Sequence, residues 1–142
     1  MAIESYQYLL GAFKCAELIH HRNHLIAKGN YSDHLLLGEI YESYTKYFDS
    51  FAEKGIVIYG EEVVNLEIIL KMQMMCYQNQ NVTTDVIKTS LSIEEYIVSE
   101  LDELYEELKQ SDNLTLGLDD LIMSTSSEVE DNIYLLTQRS KG

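Results

Sequence analysis

The chain runs for 142 residues without a single proline. Proline is the residue that most reliably ends or kinks a helix, so its absence favours long uninterrupted helices. Apolar spacing supplies them: four long helical patterns, with a shorter one between the second and third. The first runs from about Glu4 to Lys28, with Leu9, Phe13, Ala16, His20 and Ala27 on one stripe. It stops at Lys28-Gly29-Asn30. The second runs from about Ser32 to Lys54. His34, Tyr41 and Phe48 repeat every seven residues, as do Leu37, Tyr44 and Phe51. Gly55 is expected to end it, and Gly55 to Gly60 to form a short extended loop. Glu61 to Tyr77 is apolar nearly all round, so a helix there is expected to be buried, between subunits. Gln78 to Thr84 is polar and loop-like.

The third long helix is expected to start at Ser92, with Glu95 completing a capping box. Its core stripe is Ile93, Ile97, Leu101, Leu104 and Leu108. Its other faces are acidic, carrying Glu94, Glu100, Asp102, Glu103, Glu106 and Glu107. Ser111-Asp112-Asn113 marks a turn. The fourth helix spans about Leu116 to Arg139 on the stripe Leu118, Leu121, Thr125, Val129, Ile133 and Leu136, with the last three residues frayed. The fold class is therefore all-α, a four-helix bundle with a short extra helix, as one domain over residues 1–142.

Composition excludes several classes of function. Apolar residues make up 46%, too many for a disordered segment. No apolar run reaches 18 residues, so no membrane span is expected. The start, Met1-Ala2-Ile3-Glu4-Ser5-Tyr6, lacks the basic region of a signal peptide. The formal charge is −14, and the ten lysines and arginines form no cluster, so no nucleic-acid partner is expected. Such a surface suits solubility or attraction of cations. Cys15 and Cys76 have no motif spacing. They are expected as buried thiols of a reducing compartment, with a disulfide the lesser alternative.

The chemistry-bearing residues are His34, Asp49 and Glu53. Asp49 and Glu53 are four apart, so on a helix they share a face and can share a cation. His34 precedes Asp49 by fifteen residues, roughly 22 Å along a straight helix. A metal–ligand bond is only about 2.0–2.2 Å long, so one chain cannot bring all three to one ion. Two copies of the helix, antiparallel across a two-fold axis, can. His34 of one copy then meets Asp49 and Glu53 of the other, making two equivalent sites. The carboxylates lie near the expected helix C-terminus, where negative charge is disfavoured, and a cation would compensate. All four histidines, His20, His21, His24 and His34, fall within fifteen residues. Glu17-Leu18-Ile19-His20 reads as the i, i+3 carboxylate–imidazole pair of di-iron bundles, but no second copy of that pair exists.

The stretch from His24 through His34 and Tyr41 to Asp49-Ser50-Phe51-Ala52-Glu53 resembles the ferroxidase region of the Dps family of miniferritins, ferritin-like proteins. The spacing from His34 to Asp49 to Glu53 matches that family's motif without a gap, and the wording is nearest to small phage-encoded Dps-like proteins. The strong part covers about residues 18–55. The family's first ligand histidine usually lies twelve residues before the second, where this chain has Arg22. His24 is the expected first ligand, with His21 and His20 (through Glu17) as alternatives. The family's tryptophan near the site is missing. Tyr31, Tyr41 and Tyr44 are expected as half-polar core, and a role as oxidisable neighbours is the alternative.

The resemblance implies a ferritin-like bundle that oxidises Fe(II) with peroxide or oxygen at intersubunit sites. It implies storage of ferric iron in a hollow homo-oligomer, a dodecamer of two-fold dimers, and protection against oxidants. Zinc or manganese could take the place of iron. Glu94, Glu100, Glu103, Asp119 and Glu128 are candidates for lining a pore or cavity. The family's lysine-rich DNA-binding tail is absent. The expected location is the cytoplasm, the host's if the chain is phage-encoded. The alternative is a non-catalytic assembly or interaction protein that kept the fold.

Overall fold

The computed structural model describes residues 2–142; Met1, where the expected leader-free start begins, lies outside them. Among the described residues there are five α-helices: α1 (Ala2–Ile26), α2 (Tyr31–Tyr59), α3 (Leu66–Gln78), α4 (Val86–Gln110) and α5 (Leu116–Lys141). A short 3-10 turn, Glu61–Val64, precedes α3. Small polar residues start the helices by taking up orphan amides. Asn30 accepts from the Asp33 amide at 3.1 Å, Asn65 from Ile68 at 3.1 Å and Thr115 from Leu118 at 3.1 Å. Left-handed glycines bracket α2, with φ of 72° at Gly29 and 81° at Gly60.

α1 packs on α2, α3 and α4; α5 packs on α4 and α2. The four long helices thus close a ring in the order α1, α2, α5, α4. Neighbours run antiparallel. His24 lies on His34 while Tyr6 lies on Tyr59. Asn23 bonds Ser90 while Tyr8 bonds Tyr96. Arg139 pairs with Asp33 while Tyr47 bonds Glu128. α2 and α4 therefore point the same way, and the chain must travel the length of the bundle between them. The 3-10 turn and α3 make that crossing along the outside of α1, where Gln7 donates to the Glu62 carbonyl at 2.9 Å. No helix among the described residues is long and apolar enough to cross a membrane.

The expected core stripes are inside. Leu9, Phe13, Ala16 and His20 of α1, Leu37, Tyr44 and Phe51 of α2, and all five stripe residues of α4 are buried. On α5, Leu118, Thr125, Val129 and Leu136 are buried, and Leu121 and Ile133 are partly so.

Three expectations change. α2 does not stop at Gly55 but continues to Tyr59, and no extended loop forms there. Gly55 is needed for a different reason. The Tyr6 ring lies against it, so that a Cβ would sit 2.5 Å from Tyr6 Cε1. α4 begins at Val86, where Asp85 caps the Lys88 amide at 3.2 Å, so Ser92 and Glu95 lie within the helix. Burial of α3 is expected between subunits; within one chain its main helical neighbour is α1, which covers Ile69 and Cys76, and Leu66, Leu70 and Met74 stand 79%, 66% and 55% exposed. Glu94, expected on an acidic outer face, is 0% exposed.

Candidate functional site

The site lies where α1 ends and α2 begins. The four-residue turn at Ala27–Asn30 folds α2 back on α1, so His24 in the last turn of α1 meets His34 in the first turns of α2. Their rings stack with centroids 3.9 Å apart. His24 Nδ1 lies 2.6 Å from the His34 carbonyl oxygen, and His34 Nδ1 lies 2.9 Å from the His24 carbonyl oxygen. A carbonyl only accepts, so each Nδ1 carries the hydrogen and donates it. That leaves the Nε2 lone pair of each neutral ring available. Metal-binding histidines are commonly held this way, with the second nitrogen anchored to a backbone carbonyl. His21 extends the cluster. It stacks on Tyr41 at 4.2 Å and lies 6.3 Å from His24. Tyr31 lies 6.3 Å from His34 on the far side. The imidazoles of His21, His24 and His34 are half-buried, open enough for an ion to reach and too enclosed to wander.

Gly38 makes the pair possible. It lies one turn after His34, inside α2, where glycine is otherwise unfavourable. A Cβ at Gly38 would stand 2.9 Å from His24 Nδ1 and 3.0 Å from His24 Cε1. The missing side chain is the slot that holds the His24 ring. A glycine inside a strong helical pattern is the signal from which this position could have been read.

Asp49 and Glu53 are exposed on α2 and take part in no ion pair with a described residue. Because α2 is unbroken from Tyr31 to Tyr59, His34 and Asp49 are separated by roughly 22 Å of helix. The two carboxylates do not meet the imidazole pair within the chain. Among the described residues no group of three or more His, Cys, Asp or Glu side chains is placed to cage a metal. The extension of α2 to Tyr59 also puts Asp49 and Glu53 in the body of the helix rather than its last turn. The helix dipole therefore gives no reason to expect a compensating cation there.

His20 has a different place from its three neighbours. It is 0% exposed, its Nδ1 2.9 Å from Ser90 Oγ and its Nε2 2.6 Å from Glu94 Oε1. Both ring nitrogens are occupied. Glu17 does not pair with it; that carboxylate lies on the outside, accepting from Thr45 and 3.7 Å from Lys14. Glu94 is the hub of the bundle interior. It accepts from His20, from the Tyr44 hydroxyl and, through Oε2, from Asn132 Nδ2 at 3.2 Å. Burial, then the Glu94 carboxylate, pushes the Tyr44 phenol well above its usual 10.0, so it stays a donor. The hub joins α1, α2, α4 and α5 across the centre of the ring.

The other acidic candidates are dispersed. Glu128 accepts from Tyr47 at 3.1 Å. Asp119 lies beside Tyr105, and its buried Oδ1 has no hydrogen-bond partner among the described residues. Glu100 and Glu103 line a cavity with Tyr8 and Tyr96. Compared with known proteins, the chain matches no family model and no curated sequence.

Proposed function

We propose that this chain is a Dps-like miniferritin subunit of the ferritin-like class. It oxidises Fe(II) at sites shared between two copies and sequesters the ferric product in a hollow homo-oligomer, protecting its surroundings from oxidants. One observation carries the reading: His24 and His34 stack with both Nδ1 atoms committed to backbone carbonyls, leaving two nitrogen donors, and further along the helix of His34 the carboxylates of Asp49 and Glu53 are exposed and in no ion pair with a described residue. Two imidazoles and two carboxylates form a mixed nitrogen and hard-oxygen set that takes Fe(II), and would also take Zn(II) or Mn(II).

The surface of α2 supports the two-fold pairing. Setting His34 of one copy against Asp49 and Glu53 of a second centres the axis between Glu42 and Ser43. The same register sets Glu39 of each copy opposite Lys46 of the other. Glu39 and Lys46 are exposed and belong to no ion pair within the described chain. Opposite charges thus match twice by symmetry. Glu42 falls beside the axis, where Lys46 of the second copy offsets the two carboxylates. The apolar residues of α3 are a further surface that assembly would cover.

At such a site the imidazoles hold Fe(II), and the carboxylates favour the more highly charged Fe(III) as it forms. Two Fe(II) ions each supply one electron to a peroxide, whose O–O bond breaks to give two waters on uptake of two protons. His21 lies beside the pair, 6.3 Å from His24 and stacked on Tyr41.

The test compares Fe(II) oxidation, under peroxide and under air, by the wild type and by Asp49→Ala, Glu53→Ala. Oxidation well above buffer in the wild type is expected, with the rise lost in the double variant and the ferric product soluble in a large assembly. Rates equal to buffer in both would mean instead a helical assembly or interaction protein that kept this fold without the chemistry.

A further inference from the structure

Cys15 and Cys76 lie far apart in the chain, and nothing in their sequence spacing links them. The fold brings them together. α1 and α3 run side by side in the same direction, and Gly11 marks a very close approach. A Cβ at Gly11 would stand 2.6 Å from Met72 Cβ and 2.7 Å from the Gln73 amide nitrogen. Only a residue without a side chain lets two helix backbones come this near. One turn further along both helices, the same closeness sets Cys15 against Cys76. Both residues are buried, at 2% and 0% exposed, and both are free cysteines.

We infer that Cys15 and Cys76 form a redox-active dithiol, which a small uncharged peroxide oxidises to an intramolecular disulfide locking the crossover helix α3 to α1. The two thiols perturb each other: the Cys76 thiol lowers Cys15 below its usual 9.0, and the Cys15 thiol, with burial second, raises Cys76 above it. Cys15 lines an apolar groove of about 480 Å³ with Leu18, Leu70, Met74 and Tyr77. A peroxide in that groove meets Cys15 first, so Cys15 is the attacking sulfur and Cys76 the resolving one. Apolar walls disfavour charged oxidants and anionic thiols, whereas hydrogen peroxide is small and neutral.

The chemistry balances without a metal. The Cys15 thiolate attacks one oxygen of hydrogen peroxide, and the S–O bond forms as the O–O bond breaks. The departing hydroxide takes the proton that Cys15 gave up and leaves as water, with Cys15 now a sulfenic acid. The Cys76 sulfur then attacks the Cys15 sulfur. The S–S bond forms as the S–O bond breaks, and a second water departs with the Cys76 proton. Two thiols together lose two electrons and two protons, and one peroxide gains them. Beside Cys76, the Tyr8 and Tyr96 hydroxyls bond one another at the edge of the acidic cavity that Glu100 lines.

The experiment uses the full chain, reduced and metal-free, treated with hydrogen peroxide and then unfolded and alkylated. Uptake of the alkylating reagent is expected to fall from two per chain to none, with a loss of two hydrogens in mass. Proteolysis is expected to yield one joined peptide containing Cys15 and Cys76, and a dithiol reductant to restore both labels. In Cys76→Ser, Cys15 is expected to be trapped as a sulfenic acid that a β-diketone probe labels. Full alkylation of both cysteines after peroxide, or disulfides joining separate chains, overturns the proposal. An unlabelled Cys15 in Cys76→Ser overturns the assignment of Cys15 as the attacking sulfur. No iron takes part, so the result is independent of the ferroxidase reading.

Discussion

Two carboxylates in α4 have opposite consequences for stability, because their surroundings differ. Glu94 is wholly buried and fully partnered by His20, Tyr44 and Asn132. Glu94→Ala strands the buried His20 Nε2 and Tyr44 hydroxyl and the half-buried Asn132 amide at once, and breaking a buried pair in this way costs about 3–5 kcal/mol. Denaturant unfolding is expected to show that loss, with a smaller one for Glu94→Gln, which keeps the shape and one acceptor. A loss under about 1 kcal/mol in the alanine variant would mean that the hub is rebuilt by water. Glu100 is half-exposed and has no cationic partner among the described residues; burial, then the neighbouring Glu103 carboxylate, holds its carboxyl above the usual 4.5. The folded state therefore keeps this proton to higher pH than the unfolded chain. Its favourable contribution is complete below pH 4.5 and is lost as pH rises through the raised value. Glu100→Gln removes the loss. The variant is expected to melt above the wild type at pH 7, and the gap to close below pH 4.5. A gap that is the same at both pH values would trace it to packing instead.

At the scale of elements, the mid-helix glycines do more than the helix ends to build the site. Gly11, Gly38 and Gly55 each receive a neighbour in the space a Cβ would fill: α3, the His24 ring and the Tyr6 ring respectively. Gly38→Ala separates the role of α2 as a helix from its role as a holder. Alanine favours the helix by about 1 kcal/mol over glycine. Its Cβ nonetheless displaces the His24 ring from 2.9 Å, and with it the 2.6 Å contact to the His34 carbonyl. Helix content by circular dichroism is expected to hold. Affinity for Zn(II) or Co(II) is expected to fall about 10-fold to 100-fold, as when an outer-shell contact to a metal-bound histidine is lost. Unchanged affinity would remove His24 from the ligand set and leave His21 as the first ligand to test with His34.

The whole molecule leaves its candidate site divided between two regions, imidazoles at one end of α2 and carboxylates further along it. Mixing two inactive variants tests whether a second copy joins them. Neither His34→Ala nor Asp49→Ala, Glu53→Ala holds a complete set of ligands. A mixed dimer joins the intact His34 of one chain to the intact carboxylates of the other, restoring one site of two. Partial recovery of metal binding is expected after subunit exchange, up to about half per mixed dimer by the two-fold symmetry. No recovery, with exchange confirmed by mass, would overturn the shared site.

What the sequence determined by itself was local. The absence of proline, the apolar stripes and the stop at Lys28-Gly29-Asn30 were enough for an all-helical chain with its core positions, because helical periodicity is written in neighbours three and four residues apart. The separation of His34 from Asp49 was legible for the same reason, since a helix has a fixed rise. Where α2 ends was not legible. Gly55 reads as a stop until the Tyr6 ring is seen lying on it, and that ring comes from the other end of the hairpin. The inward turn of Glu94 likewise depends on His20, Tyr44 and Asn132, which three different helices supply. The stacking of His24 on His34, and the meeting of Cys15 with Cys76, depend on helices packing closely over glycine. Such contacts join residues far apart in the chain, and only the tertiary structure decides them.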